Sequence, residues 1–292
     1  METINQELSN TKVEQLVLRM KMMSQGHYER QEKTPNSKMM KSTTTKCPYD
    51  LCDGSGMKSY VKDGLTFASA CTCYQDKLME NRLAFAKIPE DFKNLTINSF
   101  DTSLYTTDED KEKAIKAKKL VAKYIKDFED YRESGKGLFL YSHTKGSGKT
   151  RLAISCGNAL MNVHKQRVRF ITTLDLLGRI KESFKDHSEY TENQLVNEFA
   201  TIPVLILDDI GTEQPTPWVK EVFYRILDTR MNYKRLTIVT SNLSLKELQH
   251  DERIISRMSK LVISIQMPEE DIRMKISEKE NEEIINKLLG IG

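Results

Sequence analysis

Short apolar runs alternate with longer amphipathic stretches through the second half of the chain. The apolar runs predict five strands, near residues 137–141, 168–171, 205–207, 236–240 and 261–266. Between them, apolar residues recur every three to four positions, as on one face of a helix. Beyond the helix that starts near 149, the predicted helices span residues 174–184, 192–200, 217–231, 251–258 and 269–289. This alternation favours an α/β fold with a parallel sheet flanked by helices.

Another helix is predicted over residues 108–133, directly before the first strand of this series. Gly135 and Gly137 follow it, and glycine commonly ends a helix. We interpret the lysines of this helix as a solvated face. The core-facing positions are expected to be Ile115, Leu120, Val121, Tyr124, Ile125 and Phe128.

The first 46 residues are polar apart from a loosely helical pattern in residues 5–23. The apolar face of this pattern is expected to carry Leu8, Val13, Leu16, Val17 and Met20. A short amphipathic helix of this kind suits docking against partner helices, but it can equally pack on its own domain. The polar stretch at 25–46 is interpreted as a flexible connection.

Composition and charge limit the function only loosely. The chain has 292 residues, and its net charge of +3 is too small to indicate nucleic-acid binding by itself. We see no signal peptide and no run of about 18 apolar residues, so we expect a soluble, cytoplasmic protein. The length has room for about two domains.

Four of the five cysteines form two close pairs separated by a predicted hairpin: Cys47 with Cys52, and Cys71 with Cys73. Disulfides are rare inside cells, whereas zinc binds four thiolates tetrahedrally in closed structural sites. We therefore predict a zinc site. Because the C-x4-C and C-x-C spacings are not the commonest ones, four unrelated reduced cysteines remain the alternative. Cys156 is expected to be a packing residue.

The segment after the first strand of the α/β region carries a phosphate-binding motif, Gly146-Ser147-Gly148-Lys149-Thr150. Backbone N–H groups of such a loop surround phosphate oxygens, the lysine reaches the outer phosphates, and the threonine hydroxyl can bind Mg²⁺. The usual motif has a glycine where this chain has His143, so a chance match in a loop is the alternative. The predicted nucleotide contacts are Gly146, Ser147, Gly148, Lys149, Thr150 and Arg151.

Two carboxylates follow the apolar run at 204–207. Because ligands bind at the carboxyl ends of parallel strands, we expect Asp208 to hold Mg²⁺ together with Thr150, and Asp209 to polarise the attacking water. Asn242, at the tip of the strand near 236–240, could position that water. The alternatives are two aspartates that cap a strand, and an asparagine that caps a turn.

The order of these motifs resembles the AAA+ ATPases. With the P-loop stand Leu207-Asp208-Asp209, Thr240-Ser241-Asn242 and Arg253-Ile254-Ile255-Ser256-Arg257-Met258. Over residues 90–270, this set is most similar to the bacterial and phage replicative helicase loaders of the DnaC and DnaI type, with IstB-like transposition helpers as close relatives. The four-cysteine module also resembles the zinc-bearing front end of such loaders.

The resemblance implies roles for several further residues. Asn242 would be sensor 1, and Arg257, with Arg253 in reserve, would be the arginine finger that reaches a neighbouring subunit's nucleotide. Arg273 would be sensor 2, although loaders have little lid domain. His143 in place of glycine, and Asp209 where many AAA+ enzymes have glutamate, imply slow hydrolysis of ATP.

The fold expected on these grounds is an AAA+ P-loop NTPase with a small helical, zinc-binding N-terminal domain. Its parts would be a partner-binding segment and linker (1–46), a zinc module (47–88) and an ATPase domain with a minimal lid (89–292). The resemblance implies a loader that uses ATP and Mg²⁺ to place a hexameric replicative helicase on single-stranded DNA. The alternatives are an IstB-like transposition helper and an ATP-binding adaptor that does not hydrolyse ATP.

Single-stranded DNA would need a local basic patch on the ATPase domain. Basic residues on or just after the helix predicted at 217–231 are the candidates, and an aromatic side chain, Trp218 or Tyr233, could stack on a base. Packing of Trp218 in the core is the alternative. The basic candidates are Lys220, Arg230, Lys234 and Arg235.

Overall fold

The computed structural model describes residues 47, 51–53, 55–62, 65–71, 73–185, 188 and 190–289. The predicted partner-binding helix at 5–23 lies outside the described residues. The described part of the chain starts with an antiparallel hairpin, β1 (Met57–Lys62) and β2 (Leu65–Ala70), which is followed by helix α1 (Tyr74–Ala86). The sequence pattern predicts short strands at 60–61 and 65–68, so both strands of the hairpin are longer than expected.

Five parallel strands form the central sheet. They are β3 (Gly137–Tyr141), β4 (Val168–Thr172), β5 (Val204–Ile210), β6 (Leu236–Ser241) and β7 (Val262–Gln266). Their spatial order is β4-β5-β6-β3-β7, so β3 lies between β6 and β7 although it comes first in the chain. The strand that leads into the P-loop therefore lies directly beside the strand that ends at Ser241.

Helices cover both faces of this sheet. They are α2 (Asp108–Lys126), α3 (Phe128–Ser134), α4 (Lys149–Asn162), α5 (Thr173–Glu182), α6 (Glu192–Thr201), α7 (Pro217–Asn232), α8 (Glu252–Leu261) and α9 (Ile272–Leu289). None of the described helices is long and apolar enough to cross a membrane.

Side chains of one strand alternate between two hydrophobic clusters. In β3, Leu138 and Leu140 belong to the cluster that includes α2 and α4, whereas Phe139 belongs to the cluster that includes α5 to α8. Because helices bury both faces, successive strand residues are all apolar, as is typical of parallel sheets. This is why the strands are visible in the sequence as continuous apolar runs.

The predicted helix over 108–133 is two helices, and part of its expected core face is wrong. Ile115 and Leu120 are 37% and 41% exposed, while Ala114 and Ala117 are fully buried. The small alanines let α2 pack closely on the domain, and this rotates the larger aliphatic positions towards solvent. Val121, Tyr124 and Phe128 are buried as expected, and Ile125 is partly buried, so the prediction is wrong only at Ile115 and Leu120.

Candidate nucleotide site

The P-loop connects β3 to the first turn of α4 and uses two glycines in the left-handed conformation. Gly146 has φ +75° and Gly148 has φ +90°. A Cβ atom at Gly146 would lie 1.9 Å from Oδ1 of Asp271, so the loop packs against the start of α9 with no space for a side chain. The loop backbone thus holds the amino terminus of α4 open towards a ligand, as phosphate binding requires.

Lys149 is almost fully buried at the start of α4 and turns back into its own loop. Its Nζ donates to the carbonyl oxygen of Thr144 (2.7 Å) and to Ser147 Oγ (3.2 Å). Burial lowers the pKa of Lys149, although nearby carboxylates oppose the shift. The carbonyl oxygen of Ser142, at 3.3 Å, is a third partner. Neutral oxygens are weak partners for a buried cation, so a phosphate that approaches this loop would gain a charge-assisted hydrogen bond.

Asp208 lies at the end of the apolar part of β5 and accepts two hydroxyl hydrogen bonds on one oxygen. Thr150 Oγ1 donates to Asp208 Oδ1 at 2.9 Å, and Thr240 Oγ1 donates to the same atom at 2.6 Å. Burial raises the pKa of Asp208, and these hydrogen bonds partly oppose the rise. The predicted magnesium pair, Thr150 and Asp208, is therefore in direct contact, and a divalent cation there would favour the ionised carboxylate.

Asp209 interrupts the strand. Its φ of +57° is left-handed, and the pairing of β5 with β6 shifts register between Leu207 and Ile210. The Asp209 N–H donates to Thr240 Oγ1 at 2.9 Å. A non-glycine residue in this conformation is strained, and such strain is common where a side chain must be aimed at a ligand. Asn242 follows β6, and among the described residues its side-chain amide has no hydrogen-bond partner.

The histidine that replaces the first P-loop glycine bridges two carboxylates. His143 Nε2 lies 3.0 Å from Glu247, and its Nδ1 lies 3.4 Å from Glu269. The hydrogen bond with Glu247 raises the pKa of His143 above its ordinary value. Glu269 also accepts hydrogen bonds from the N–H groups of His143 and Thr144 and from Ser142 Oγ, so one carboxylate contacts this segment at four points.

The two finger candidates on α8 have different surroundings. Arg257 is held within its own subunit by Asp228 (2.8 Å) and the hydroxyl of Tyr224 (2.7 Å), and its side chain is only 19% exposed. Arg253 is 76% exposed and lies 3.6 Å from Asp251. Arg151 reaches the carbonyl oxygen of Ser99 at 3.4 Å, which leaves its guanidinium at the protein surface.

The basic residues predicted to contact DNA do not form one patch. Arg230 is fully buried and donates to the carbonyl oxygens of Phe199 (2.8 Å) and Ile202 (2.9 Å), so its predicted role in DNA binding is wrong. It binds backbone carbonyls between α6 and β6. Trp218 is half-buried and packs edge-on against Phe184, which favours the packing alternative.

The four predicted zinc ligands converge. The sulfur atoms of Cys47, Cys52, Cys71 and Cys73 all lie within 4.8 Å of one another. Cys47 and Cys71 are 3.8 Å apart, and Cys52 and Cys73 are 3.6 Å apart. Tetrahedral zinc with Zn–S bonds of about 2.3 Å needs S···S distances of about 3.8 Å. The cluster therefore fits a zinc ion, and Cys156, buried on α4, is separate from it.

Sequence reasoning missed three residues that shape the site. Thr240 contacts both Asp208 and the backbone of Asp209, and its position in the Thr-Ser-Asn motif was the available signal. The Tyr105 hydroxyl donates to the carbonyl oxygen of Ser147 at 2.9 Å. No local pattern marks Tyr105 or Glu269, because each reaches the P-loop from a distant part of the chain.

A glycine-lined loop between a parallel strand and a helix, with a buried lysine at its centre, defines a P-loop nucleotide-binding fold. The model of the IstB-like ATP binding protein family matches residues 69–260. This match covers more than half of the chain, so the chain belongs to that ATP-binding family.

Curated relatives carry loader names. The chain is 32% identical over 163 residues to the replicative helicase loader DnaC of Buchnera aphidicola subsp. Acyrthosiphon pisum (strain APS), which covers 55% of this chain and 62% of that protein. It is 35% identical over 130 residues to the replicative helicase loader DnaI of Bacillus subtilis (strain 168), covering 44% and 40%. The chain thus spans less than two thirds of the length of these relatives.

A solved structure supports the fold. The crystal structure of a DnaC helicase loader aligns with a TM-score of 0.50 and 23% sequence identity, covering 61% of this chain and 99% of that one. At this identity the likeness concerns the fold alone. It agrees with the predicted parallel sheet flanked by helices.

Proposed function

We propose that this protein is an ATP-dependent loader that places a hexameric replicative helicase on single-stranded DNA. The observation that carries the proposal is the nucleotide site, which lies within residues 69–260, the range that the family model matches. Relatives named replicative helicase loaders support the choice of function. A loader needs an ATP-sensitive contact to its partner rather than a strong motor. The proposed role of ATP is therefore that of a switch.

The ATPase step uses residues at the carboxyl ends of β3, β5 and β6. Lys149 and the P-loop N–H groups bind the phosphates, while Thr150 and Asp208 hold Mg²⁺, which when bound neutralises phosphate charge. Asp209 and Asn242 orient the attacking water. Asp209 has a shorter side chain than the glutamate common in AAA+ enzymes, and this supports slow turnover.

Self-association would complete the site with an arginine from a neighbouring subunit. Arg257 stays the assigned finger, with Arg253 as the reserve. Arg257 would first have to leave Asp228, at 2.8 Å, whereas the more exposed Arg253 would leave only a longer ion pair with Asp251, at 3.6 Å. An Asp228→Asn variant should then raise the per-subunit hydrolysis rate if Arg257 is the finger, and leave it unchanged if Arg253 is.

Two further sites belong to the proposal. A zinc ion on the four cysteines would hold the module at 47–88 together, and the segment at 1–46 would grip the helicase. The ATPase domain would hold single-stranded DNA when ATP is bound.

A transposition helper of the IstB type is the second candidate, because the matching family model carries that description. Such a helper would act with a transposase on duplex DNA. The convergence of the four thiols favours the loader, since a metal-bound front end is not expected of that helper class. An adaptor that binds ATP without turnover is the third candidate, supported by His143 and Asp209.

The deciding experiment measures helicase retained on circular single-stranded DNA after a salt wash, with purified helicase, this protein and ATP. Retention should rise with this protein and ATP, and it should fall to background with the Lys149→Ala variant. If the amount of helicase retained is the same with and without this protein, the loader function is excluded. Phosphate release in the same reactions separates an ATPase from a non-hydrolysing adaptor.

A further inference from the structure

A basic cavity lies at the amino ends of the strands, the edge of the sheet opposite the nucleotide site. Its volume is about 270 Å³. Arg235 and Leu236 line it at the start of β6, Pro203 lines it just before β5, and Arg132 borders it from α3. Because the strands of a parallel sheet share one direction, the starts of β5 and β6 lie at the edge opposite the end of β3, where the P-loop begins.

The cavity offers cations that lack partners. The Arg235 side chain is half-buried, and its Nε is buried without a hydrogen-bond partner in the part of the chain that the structure describes. Lys234 is exposed, and no carboxylate of the described residues pairs with it. Arg132 is paired with Glu129 at 2.5 Å, and Glu133 is the acidic residue of the lining. Buried polar groups are normally satisfied, and among the described residues no side-chain group accepts from this Nε.

The backbone around these cations is strained. Lys234 has φ +50°, and Gly135, with φ +72°, packs against it so closely that a Cβ on Gly135 would lie 2.9 Å from the Lys234 Cα. A lysine in the left-handed region is costly, and such strain persists where the surrounding structure enforces it for a purpose. Lys234 directly precedes Arg235 in the chain, and both residues line the cavity.

An exposed aromatic side chain adjoins the basic residues. Tyr233 lines the cavity and is 66% exposed, so its ring is free to contact a ligand. Guanidinium and ammonium groups next to an open aromatic ring match the two parts of a nucleotide unit, a phosphate and an unpaired base.

We propose that this cavity binds the phosphodiester backbone of single-stranded DNA, with one phosphate at Arg235 and Lys234 and one base stacked on Tyr233. The proposal deepens the loader function and rests on it for the choice of a DNA strand as the source of the phosphate. It places DNA far from the P-loop, so ATP would act on DNA through the sheet rather than by contact.

The test uses the purified full chain with ATP, Mg²⁺ and a fluorescently labelled 20-nucleotide oligo(dT), and anisotropy is measured at several salt concentrations. The variant Lys234→Gln/Arg235→Gln should lose more than about tenfold in affinity at 0.1 M salt. Its salt slope should fall by about 0.7, since neutralising one phosphate of a single strand contributes about 0.7. The charge-matched control, Lys116→Gln/Lys119→Gln, alters two exposed lysines of α2 and should bind as the parent does.

The tyrosine gives an independent measurement. Tyr233→Ser should weaken binding at least about fivefold while leaving the salt slope unchanged, because stacking on a base is not ionic. The matched control is Tyr190→Ser, which removes an aromatic ring that is 48% exposed elsewhere on the surface. Both tyrosines are exposed, so these variants should fold even where the change at Arg235 does not.

Parent-like DNA affinity in both the charge and the tyrosine variants would overturn the proposal. Competition by millimolar inorganic phosphate, with the same loss in the charge variant but no effect of Tyr233→Ser, would show a free-phosphate site and also overturn it. Helicase retention is measured in parallel. A cavity variant that binds helicase in solution but fails to retain it on DNA supports the proposal, whereas a parent protein that never binds helicase defeats the loader function alone.

Discussion

The parallel sheet has a carboxyl edge at the P-loop and an amino edge at the basic cavity, and the cations at these two edges differ in their hydrogen-bond partners. At the carboxyl edge, the buried Lys149 ammonium is occupied by oxygens of its own loop, and the Asp208 carboxylate is occupied by two threonine hydroxyls. At the amino edge, the Arg235 Nε is buried without any partner among the described residues. At the first edge, hydrogen bonds within the protein occupy the groups that a bound nucleotide and its Mg²⁺ would contact. At the second edge, no described residue plays this part for the Arg235 Nε.

The comparison shows that one binding site can be found from a sequence motif, whereas another is visible only from hydrogen-bonding groups without partners in the folded structure. The nucleotide edge is recognisable because phosphate binding demands particular residues in consecutive positions. The amino edge has no motif, because its groups come from separate turns that meet only in the folded chain. Variants that affect one edge and spare the other are therefore the sharpest tests.

The largest effect is expected from Lys149→Ala. Removing the ammonium deletes a charge-assisted hydrogen bond worth about 1.5–3 kcal/mol, so ATP affinity should fall by about 10- to 100-fold. Titration with a fluorescent ATP analogue measures it. Lys145→Ala, an exposed change in the same loop, is the control and should bind normally. Unchanged ATP affinity in Lys149→Ala would mean that the carboxyl edge is not the nucleotide site.

Loss of zinc from the four-cysteine cluster should leave ligand binding at both edges of the sheet unchanged. Elemental analysis of the parent should give one zinc per chain, and Cys71→Ser should lose the metal and unfold mainly the region 47–73, since metal binding supplies folding free energy in so small a module. Cys156→Ala is the control, because that thiol is buried on α4 and away from the cluster. ATP binding should survive in Cys71→Ser. A metal-free parent of equal stability would contradict the zinc site.

A moderate effect is expected from Gly135→Ala, which targets the amino edge. The left-handed φ of +72° and the 2.9 Å approach to Lys234 should cost about 1–3 kcal/mol of unfolding free energy. Gly178→Ala, where a Cβ meets nothing within 4 Å inside α5, should stabilise by about 0.5–1 kcal/mol. Chemical denaturation measures both. If Gly135→Ala is as stable as the parent, position 135 is not under the backbone strain and close contact with Lys234 that we infer.

The smallest effect concerns pH and the carboxyl edge. The pKa of His143 is raised above 6.5 by Glu247, so its contribution to stability is complete below pH 6.5 and is lost as the pH rises through the folded-state pKa. Since the ring is half exposed, that contribution should stay below about 1 kcal/mol. The difference in melting temperature between parent and His143→Gln should narrow from pH 6 to pH 8. A difference in melting temperature that widens from pH 6 to pH 8 would contradict the raised pKa of His143.

Much of the fold was predictable from local pattern. The strands at 204–207 and 236–240 were visible because helices bury both faces of the sheet, which requires unbroken apolar runs. The P-loop and Asp208 were predictable because their chemistry allows few substitutes. In α2 the same kind of reasoning failed at Ile115 and Leu120, since alanines rather than large aliphatic residues permit its close packing.

The sequence by itself determined the class of fold, the phosphate-binding loop and the convergence of four thiols, because each depends on the spacing of residues near one another in the chain. Only the tertiary structure decided which cations are satisfied. Arg230 and Arg235 are five residues apart and look alike in the sequence, yet the first is bound by buried carbonyls and the second has a free Nε. Hydrogen bonding depends on the acceptors that a distant segment brings within about 3 Å, and local pattern carries no record of those acceptors.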